Sequence, residues 1–342
     1  MAGGTGGHVF PALACAKQLI SQGHQVEWLG TQRGLESRLI PAANIPIHYL
    51  NITGLRGKNK LSLLLAPIKL IHSLLQAIGI IRGFKPDVVL GMGGFVTGSG
   101  GLASRLLGIP LVIHEQNAIA GLTNRLLAPL AQRVLTAFPC QIGQKESNNP
   151  LGNPLRQDII NLQTEKKTTM PLKVLVFGGS LGAQIFNQTL PQVYPQLRDK
   201  ILLWHQTGEK QYSQTKTAFK DYPEVKVTAF IDDMATAYQW ADLVICRAGA
   251  LTVSELAQVG LPSILVPYPF AVDDHQTANA QFLVNAKAAW LCPQNDFNRD
   301  RLFQLLNNIQ PQQLETMAKA AKICAKPNAV QTVVNICLQT AK

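Results

Sequence analysis

The sequence is short of charge, of aromatic side chains and of closely spaced cysteines. Only 15% of its 342 residues are charged and 46% are hydrophobic, which excludes a disordered chain and leaves ample material for packed cores. Aromatics make up 6%, too few to interleave with basic residues as a stacking surface, so no nucleic-acid partner is expected. The six cysteines (Cys15, Cys140, Cys246, Cys292, Cys324 and Cys337) form no Cys-x-x-Cys pair, which argues against a disulfide framework or a structural zinc site. They read as reduced, buried thiols. No charged segment followed by an apolar run marks a signal peptide. Charge-free runs such as Val88–Ser104 and Leu256–Val272 are broken by Gly or Pro and do not read as spanning helices.

Signature motifs are missing too. The two leading Gly-rich loops do not fit the dinucleotide fingerprint G-x-G-x-x-G, and there is no G-x-x-x-x-G-K-[ST]. No Asp-x-Asp is present to hold a divalent metal against a diphosphate. A bound diphosphate would therefore be neutralised by helix dipoles, backbone amides and an arginine.

What is present is organised in two similar halves. Lys and Arg outnumber Asp and Glu by 31 to 20, and the excess is uneven: residues 1–150 hold 13 basic and 5 acidic side chains, the rest 18 and 15. A basic first half implies an anionic partner. Strand-like runs (Gln25–Leu29, Val88–Leu90, Pro110–Ile113 and Arg133–Thr136) alternate with helical segments (Pro11–Gln22, Leu61–Arg82 and Thr97–Leu107). The second half repeats the alternation, with strands at Lys173–Phe177, Ile201–His205, Lys226–Phe230, Leu243–Cys246 and Ser263–Val266. Its helices are expected at Ala183–Val193, Met234–Trp240, Thr252–Val259 and Gln276–Asn285. This pattern means βαβ units and parallel sheets. The polar, Pro-containing stretch Gly143–Pro171, with its charge cluster Glu165–Lys167, reads as the linker region.

Four Gly-rich or small-residue turns, Gly3–His8, Gly91–Gly101, Gly178–Ala183 and Ala248–Thr252, precede helices. Each such turn lets the backbone approach a ligand, and the helix start behind it attracts anions. Spread over both halves, they favour an anionic ligand in a cleft between domains. The loop Gly178–Ala183 follows a complete strand, whereas Gly3–His8 has only Met1-Ala2 before it. Since such a loop needs a central strand to hold it, an apolar strand upstream of Met1 is expected.

These turns and their neighbours resemble the MurG family of peptidoglycan UDP-N-acetylglucosamine transferases. The resemblance is carried by Gly3-Gly4-Thr5-Gly6-Gly7-His8-Val9-Phe10-Pro11, Thr53-Gly54-Leu55-Arg56-Gly57, Gly91-Met92-Gly93-Gly94-Phe95, His114-Glu115-Gln116-Asn117 and Gly152-Asn153-Pro154-Leu155-Arg156. It continues through Gly178–Ala183, Phe230-Ile231-Asp232-Asp233-Met234, Arg247–Glu255, Asp274-His275-Gln276 and Asn279-Ala280, in order over nearly the whole chain. It implies an α/β GT-B glycosyltransferase with two Rossmann-like doubly wound domains facing across a cleft. Residues 1–156 would form the acceptor and membrane-facing domain, 157–327 the UDP-GlcNAc domain, and 328–342 a helix returning to the first. The implied reaction is metal-independent, inverting transfer of GlcNAc from UDP-GlcNAc to O4 of the muramyl sugar of lipid I, giving lipid II for the cell wall, with no cofactor. The same scaffold would also serve a UDP-GlcNAc 2-epimerase or a non-catalytic nucleotide-sugar-binding protein.

Carried over by position, the resemblance assigns Ser180, at the expected helix start, and Arg156 to the diphosphate, and Ile231 to the uracil. Ala250, Leu251, Thr252, Val253, Ser254 and Glu255 would line the donor, with Thr252 near the α-phosphate and Glu255 accepting from ribose hydroxyls. Gln276 would hold the GlcNAc hydroxyls; Thr5, Gly6, Gly7 and Asn117 would complete the sugar and acceptor side. His8 is the candidate catalytic base for O4, imidazole being the side chain whose ordinary pKa near 6.5 suits proton removal at neutral pH. It could instead cap the helix expected to start near Pro11. Glu255 could reflect only the preference for acids in a helix's first turn, and Ser180 could be an N-cap. His114 and Glu115, ending an apolar strand, read as loop organisers outside the site.

The basic cluster Arg56-Gly57-Lys58-Asn59-Lys60 precedes the apolar-rich stretch Leu61–Ile71. That pairing suits an interfacial segment on an anionic membrane surface. With a lipid-linked acceptor, the expected location is peripheral, on the cytoplasmic face of the bacterial inner membrane.

Overall fold

The computed structural model describes residues 1–52, 66–142, 145–147, 149–162 and 168–342. The motif Thr53–Gly57, the cluster Arg56–Lys60, the start of the segment at Leu61 and the cluster Glu165–Lys167 lie outside the described residues. The chain divides into two compact units, residues 1–156 with 326–342, and residues 157–325.

The first unit carries strands β1 (Trp28–Gly30), β2 (Ile47–Tyr49), β3 (Val89–Gly91), β4 (Leu111–Glu115) and β5 (Arg133–Thr136). Strands β1 and β2 pair in parallel, as do β3, β4 and β5 in that order. A short antiparallel hairpin, β6 (Cys140–Ile142) with β7 (Lys145–Ser147), follows. Helix Gly6–Ser21 and the C-terminal helix Ala329–Thr340 pack together, burying Val9, Ala12, Cys15, Val333, Val334 and Cys337 against Trp28 and Met92. Helix Ala66–Phe84 belongs to a separate cluster, in which Ala77 and Ile81 meet Leu29, Val96 and Ala103. That alternation of faces is what βαβ crossovers impose on a parallel sheet.

Between β1 and β3 lies the start of the chain. The Met1 amine donates to the Leu90 carbonyl (2.8 Å), Met92 N–H donates to the Met1 carbonyl (2.9 Å), and Trp28 Nε1 donates to the Ala2 carbonyl (3.0 Å). Met1 lines a cavity of about 740 Å³ together with Trp28, Leu29, Ile81, Val89 and Leu90 among others.

The second unit holds one six-stranded parallel sheet. Its strands are β8 (Leu172–Phe177), β9 (Ile201–Gln206), β10 (Lys226–Thr228), β11 (Leu243–Cys246), β12 (Ser263–Leu265) and β13 (Ala289–Leu291). They lie in the order β10-β9-β8-β11-β12-β13. Counted within the unit this is 3-2-1-4-5-6, the doubly wound order, and it reverses between β8 and β11. Val174, Val176, Leu203, Ile245 and Ile264 are fully or almost fully buried, which is why these strands read as continuous apolar runs. Phe186, Val193 and Leu197 of helix Gln184–Leu197 close one face of the core together with Leu302 and Leu306 of helix Arg299–Asn307.

Each unit buries one neutral histidine. In the first, His114 Nε2 donates to the Gly152 carbonyl (3.0 Å) and Nδ1 accepts from Gln116 Nε2 (3.1 Å). In the second, His205 Nε2 donates to Asn187 Oδ1 (2.7 Å). Burial penalises the imidazolium and lowers both pKa values from 6.5 to about 4. The unfolded chain therefore takes up protons that the folded chain refuses between pH 6.5 and about 4. Stability is complete above that window and is lost as pH falls through it. Each ring contributes a slope of roughly 1.4 kcal/mol per pH unit there. Thermal melts from pH 7.5 to 5 check this, and His205→Asn should flatten the dependence of the second unit's transition.

Candidate active site

In the first unit, helix Gly6–Ser21 starts five residues earlier than the periodicity predicts. Thr5 is its N-cap position, and His8 N–H donates to the Thr5 carbonyl at 3.2 Å. His8 therefore lies inside the first turn and is not a cap. Pro11 sits within the helix and cannot donate to the Gly7 carbonyl as an unbroken ladder requires. Thr5 is exposed, and Gly6, Gly7 and His8 are half-buried. The His8 ring rests against the turn after β3: a Cβ on Gly93, which has φ +90°, would lie 2.9 Å from its Cδ2 and 3.0 Å from its Nε2. Only glycine gives the ring that place.

Arg156 belongs to the first unit, its guanidinium stacked over Phe10 with 5.5 Å to the ring centroid. The Phe10 ring in turn covers Gly6 closely enough that a Cβ there would meet it at 2.9 Å. Arg156 thus flanks the helix start that carries His8. Asn117 follows β4, and its N–H and Nδ2 both donate to Glu115 Oε1 (2.9 and 3.2 Å). The other Glu115 oxygen accepts from Gly121 N–H and Asn124 Nδ2 (3.0 and 2.8 Å). Buried Glu115 shapes the Asn117 loop, and His114 ties β4 to the Gly152 turn.

In the second unit the Gly-rich turns fall at the carboxyl ends of β8 and β11, the two strands between which the order reverses. Doubly wound sheets bind ligands at that place. Helix Gln184–Leu197 begins after Ala183, its N-cap position, so Ser180 is an exposed loop residue three positions ahead and not at the helix start. The reason is local: Gly182 N–H closes a turn onto the Gly179 carbonyl (2.9 Å), which carries Ser180 and Leu181 outward. A Cβ on Gly182 would collide with the Thr207 carbonyl, and one on Gly208 with that of Leu181. Buried Gln206 ties the turns together: its Oε1 accepts from Gly178 N–H (3.3 Å) and its Nε2 donates to the Ala229 carbonyl (3.0 Å).

After β11, Gly249 is the N-cap position of helix Ala250–Val259. Leu251, Thr252, Ser254 and Glu255 are half-buried, whereas Val253 has no exposed surface. The side chain of Val253 is thus directed into the interior and does not line a ligand surface. Glu255 is the sixth helical residue, beyond the first turn where the dipole favours acids, so the dipole does not account for it. Its Oε2 accepts from the buried Tyr238 hydroxyl at 2.9 Å. Ile231, in the loop after β10, is almost buried, leaving its backbone as the group it offers. Gln276 Oε1 accepts from Tyr268 N–H (2.9 Å), so its amide NH2 is what it has for a ligand.

Sequence reasoning placed Arg247 in a motif but did not read its structural role. It donates to the carbonyls of Val266 and Pro267 (both 3.1 Å) and packs over Phe186 and Tyr268. In this way it fixes the segment that Gln276 also holds. Its place in a Gly-rich motif gave a signal, but not its targets. Among the described residues no group of three or more His, Cys, Asp or Glu is placed to hold a metal ion.

Comparison with known families fits this arrangement. The glycosyltransferase family 28 N-terminal domain matches residues 1–136 and the C-terminal domain of the same family matches residues 173–333. The crystal structure of Acinetobacter baumannii MurG superposes with a TM-score of 0.82 at 45% identity, covering 99% of this chain and 98% of that one. A kitacinnamycin glycosyltransferase, 15% identical with a TM-score of 0.74, shares the fold. The fold and the matched domains define a GT-B glycosyltransferase. A Pseudomonas fluorescens protein named UDP-N-acetylglucosamine–N-acetylmuramyl-(pentapeptide) pyrophosphoryl-undecaprenol N-acetylglucosamine transferase is 52% identical, covering all of this chain and 98% of its own length. Its namesake in Pseudomonas entomophila is also 52% identical, over all of this chain and 97% of its own. The chain belongs to the MurG family.

Proposed function

We propose that this enzyme transfers GlcNAc from UDP-GlcNAc to O4 of the muramyl sugar of lipid I, releasing UDP and forming lipid II. The observation that carries the reading is the full-length similarity to relatives named for that reaction, and the switch-point turns of the second unit supply the matching chemistry. Backbone amides of the turn Gly178–Ala183 and of the helix start at Ala250–Thr252, together with Ser180 and Arg156, neutralise the diphosphate. Glu255, oriented by Tyr238, accepts from the ribose hydroxyls, Ile231 pairs with uracil through its backbone, and Gln276 donates to the GlcNAc hydroxyls.

In the first unit Thr5, Gly6, Gly7 and Asn117 receive the acceptor. His8 takes the O4 proton as the oxygen attacks the anomeric carbon. The bond to the UDP oxygen breaks on the opposite side, inverting the centre, and UDP leaves with the bonding electron pair. The test is UDP release from UDP-GlcNAc with and without a soluble lipid I analogue, in EDTA. Release that needs the acceptor and survives chelation is expected. Turnover of UDP-GlcNAc alone would point to epimerase chemistry, and no release in either case to a binding protein.

The first unit also carries the membrane-facing surface. No helix among the described residues is long and apolar enough to cross a bilayer. Three neighbouring helices nevertheless expose large apolar side chains: Ile68, Ile71 and Leu75 on helix Ala66–Phe84, Leu106 on Phe95–Leu106, and Leu122 and Leu126 on Leu122–Leu127. Lys69, Arg105 and Arg125 on the same three helices are exposed as well. This patch rests peripherally on the anionic cytoplasmic face of the inner membrane, where the lipid-linked acceptor resides. Replacing Leu75 and Leu126 together by serine is expected to weaken sedimentation with phosphatidylglycerol vesicles about tenfold or more. Added salt should weaken the wild type as well. Unchanged binding in both experiments would refute the assignment.

A further inference from the structure

Glu36 is the first residue of helix Glu36–Ala42 and is completely buried. Among the described residues no ion pair reaches it. Three donors converge on its two oxygens instead: Gly4 N–H on Oε2 (3.0 Å), and Thr31 N–H and hydroxyl on Oε1 (2.9 and 2.7 Å). In all three contacts a Glu36 oxygen is placed to accept. The chain is shaped to admit it. A Cβ on Gly3 would come within 2.8 Å of Oε1, one on Gly30 within 2.8 Å of the Glu36 Cγ, and one on Gly34 would collide with the carboxylate. Leu35 N–H donates back to the Gly4 carbonyl (3.2 Å), so Gly4 is gripped from both sides.

We infer that Glu36 is the positioning residue of the acceptor turn: by accepting from Gly4 it sets the exit direction of Thr5–His8 and hence the place of the His8 imidazole. The inference rests on the reading of that turn as the acceptor side, and it sharpens the contrast between the two Gly-rich turns. The turn Gly178–Ala183 has its first amide held by the neutral side chain of Gln206, which leaves the site free for an anionic diphosphate. The turn Gly3–His8 is held instead by the buried Glu36 side chain, through the Gly4 amide.

Full-length Glu36→Gln, Glu36→Asp and Thr31→Val test it. Glu36→Gln keeps the size of the side chain and loses one of its two acceptor oxygens. It is expected to lower kcat about 10²-fold, the scale of an ångström-sized misplacement, with KM for UDP-GlcNAc within about twofold. Glu36→Asp keeps both acceptor oxygens and should retain more activity than Glu36→Gln, the reverse of the order that simple packing would produce. Thr31→Val, which removes one donor of three, should lie between them and the wild type and serves if the Glu36 variants fail to fold. Hydrogen exchange of the Gly4 and Thr31 amides in the ligand-free protein should quicken in Glu36→Gln. That readout stands even if the wild type proves inactive with a lipid I analogue, which would sink the functional reading and not this one. Wild-type kcat in Glu36→Gln, or more activity in Glu36→Gln than in Glu36→Asp, overturns the proposal.

Discussion

Replacing His8 by alanine is expected to lower kcat with UDP-GlcNAc and a lipid I analogue by about 10²–10⁴-fold, the usual worth of a positioned acid–base group. KM for UDP-GlcNAc should move by less than about threefold, since the His8 ring is not among the proposed donor contacts. The split follows from where the ring sits. It projects from the first turn of helix Gly6–Ser21 and rests on Gly93, so its deletion removes a proton acceptor without touching the sheet beneath. Gly93→Ala approaches the same ring from the other side. Its methyl would press on Cδ2 and Nε2 and force a positive-φ backbone on a residue that disfavours it, so kcat should fall there with His8 still in place. Steady-state kinetics decide the matter. A His8→Ala enzyme with near-normal kcat would leave His8 a loop-packing residue.

The second large effect is expected at Glu255. Glu255→Ala should raise KM for UDP-GlcNAc by about 10–100-fold, the loss of charge-assisted hydrogen bonds worth 1.5–3 kcal/mol. Tyr238→Phe should raise it only a few-fold, because it removes one bond that orients the carboxylate and leaves the carboxylate itself. Calorimetric titration with UDP would show the same ranking in the absence of acceptor. If UDP binds the alanine variant as tightly as the wild type, Glu255 is a structural tie to Tyr238.

Much of the scaffold was legible because strands such as Leu172–Phe177 and Leu243–Cys246 are buried on both faces. Arg133–Thr136 and Leu243–Cys246 come out residue for residue, and Leu172–Phe177 differs by one position. Helix starts were harder. Gly6 and Gly7 have little helical propensity and Pro11 is a common first-turn residue, so the local signal put the start near Pro11. Packing of Val9, Ala12 and Cys15 against the sheet draws the helix back to Gly6. The helices Arg299–Asn307 and Pro311–Ile323 were missed although the sequence marks their starts, with Asn298 accepting from Arg301 N–H and Pro311 in the first turn. Of the site, the Gly-rich turns were visible as motifs. Glu36 and Gln206 were not, since each acts on a turn about thirty residues distant in sequence, and Glu36 had only the look of an acid at a helix start.

The crossing of Gly182 and Gly208 bears on how this enzyme could be re-engineered. Where each loop runs directly over the other's backbone, neither has the freedom of an ordinary surface segment, although both are solvent-facing at their tips. A graft of the first loop from another transferase would have to bring the second with it. Libraries that diversify one loop alone would therefore have to keep both glycines, since a Cβ at either meets the other loop's backbone.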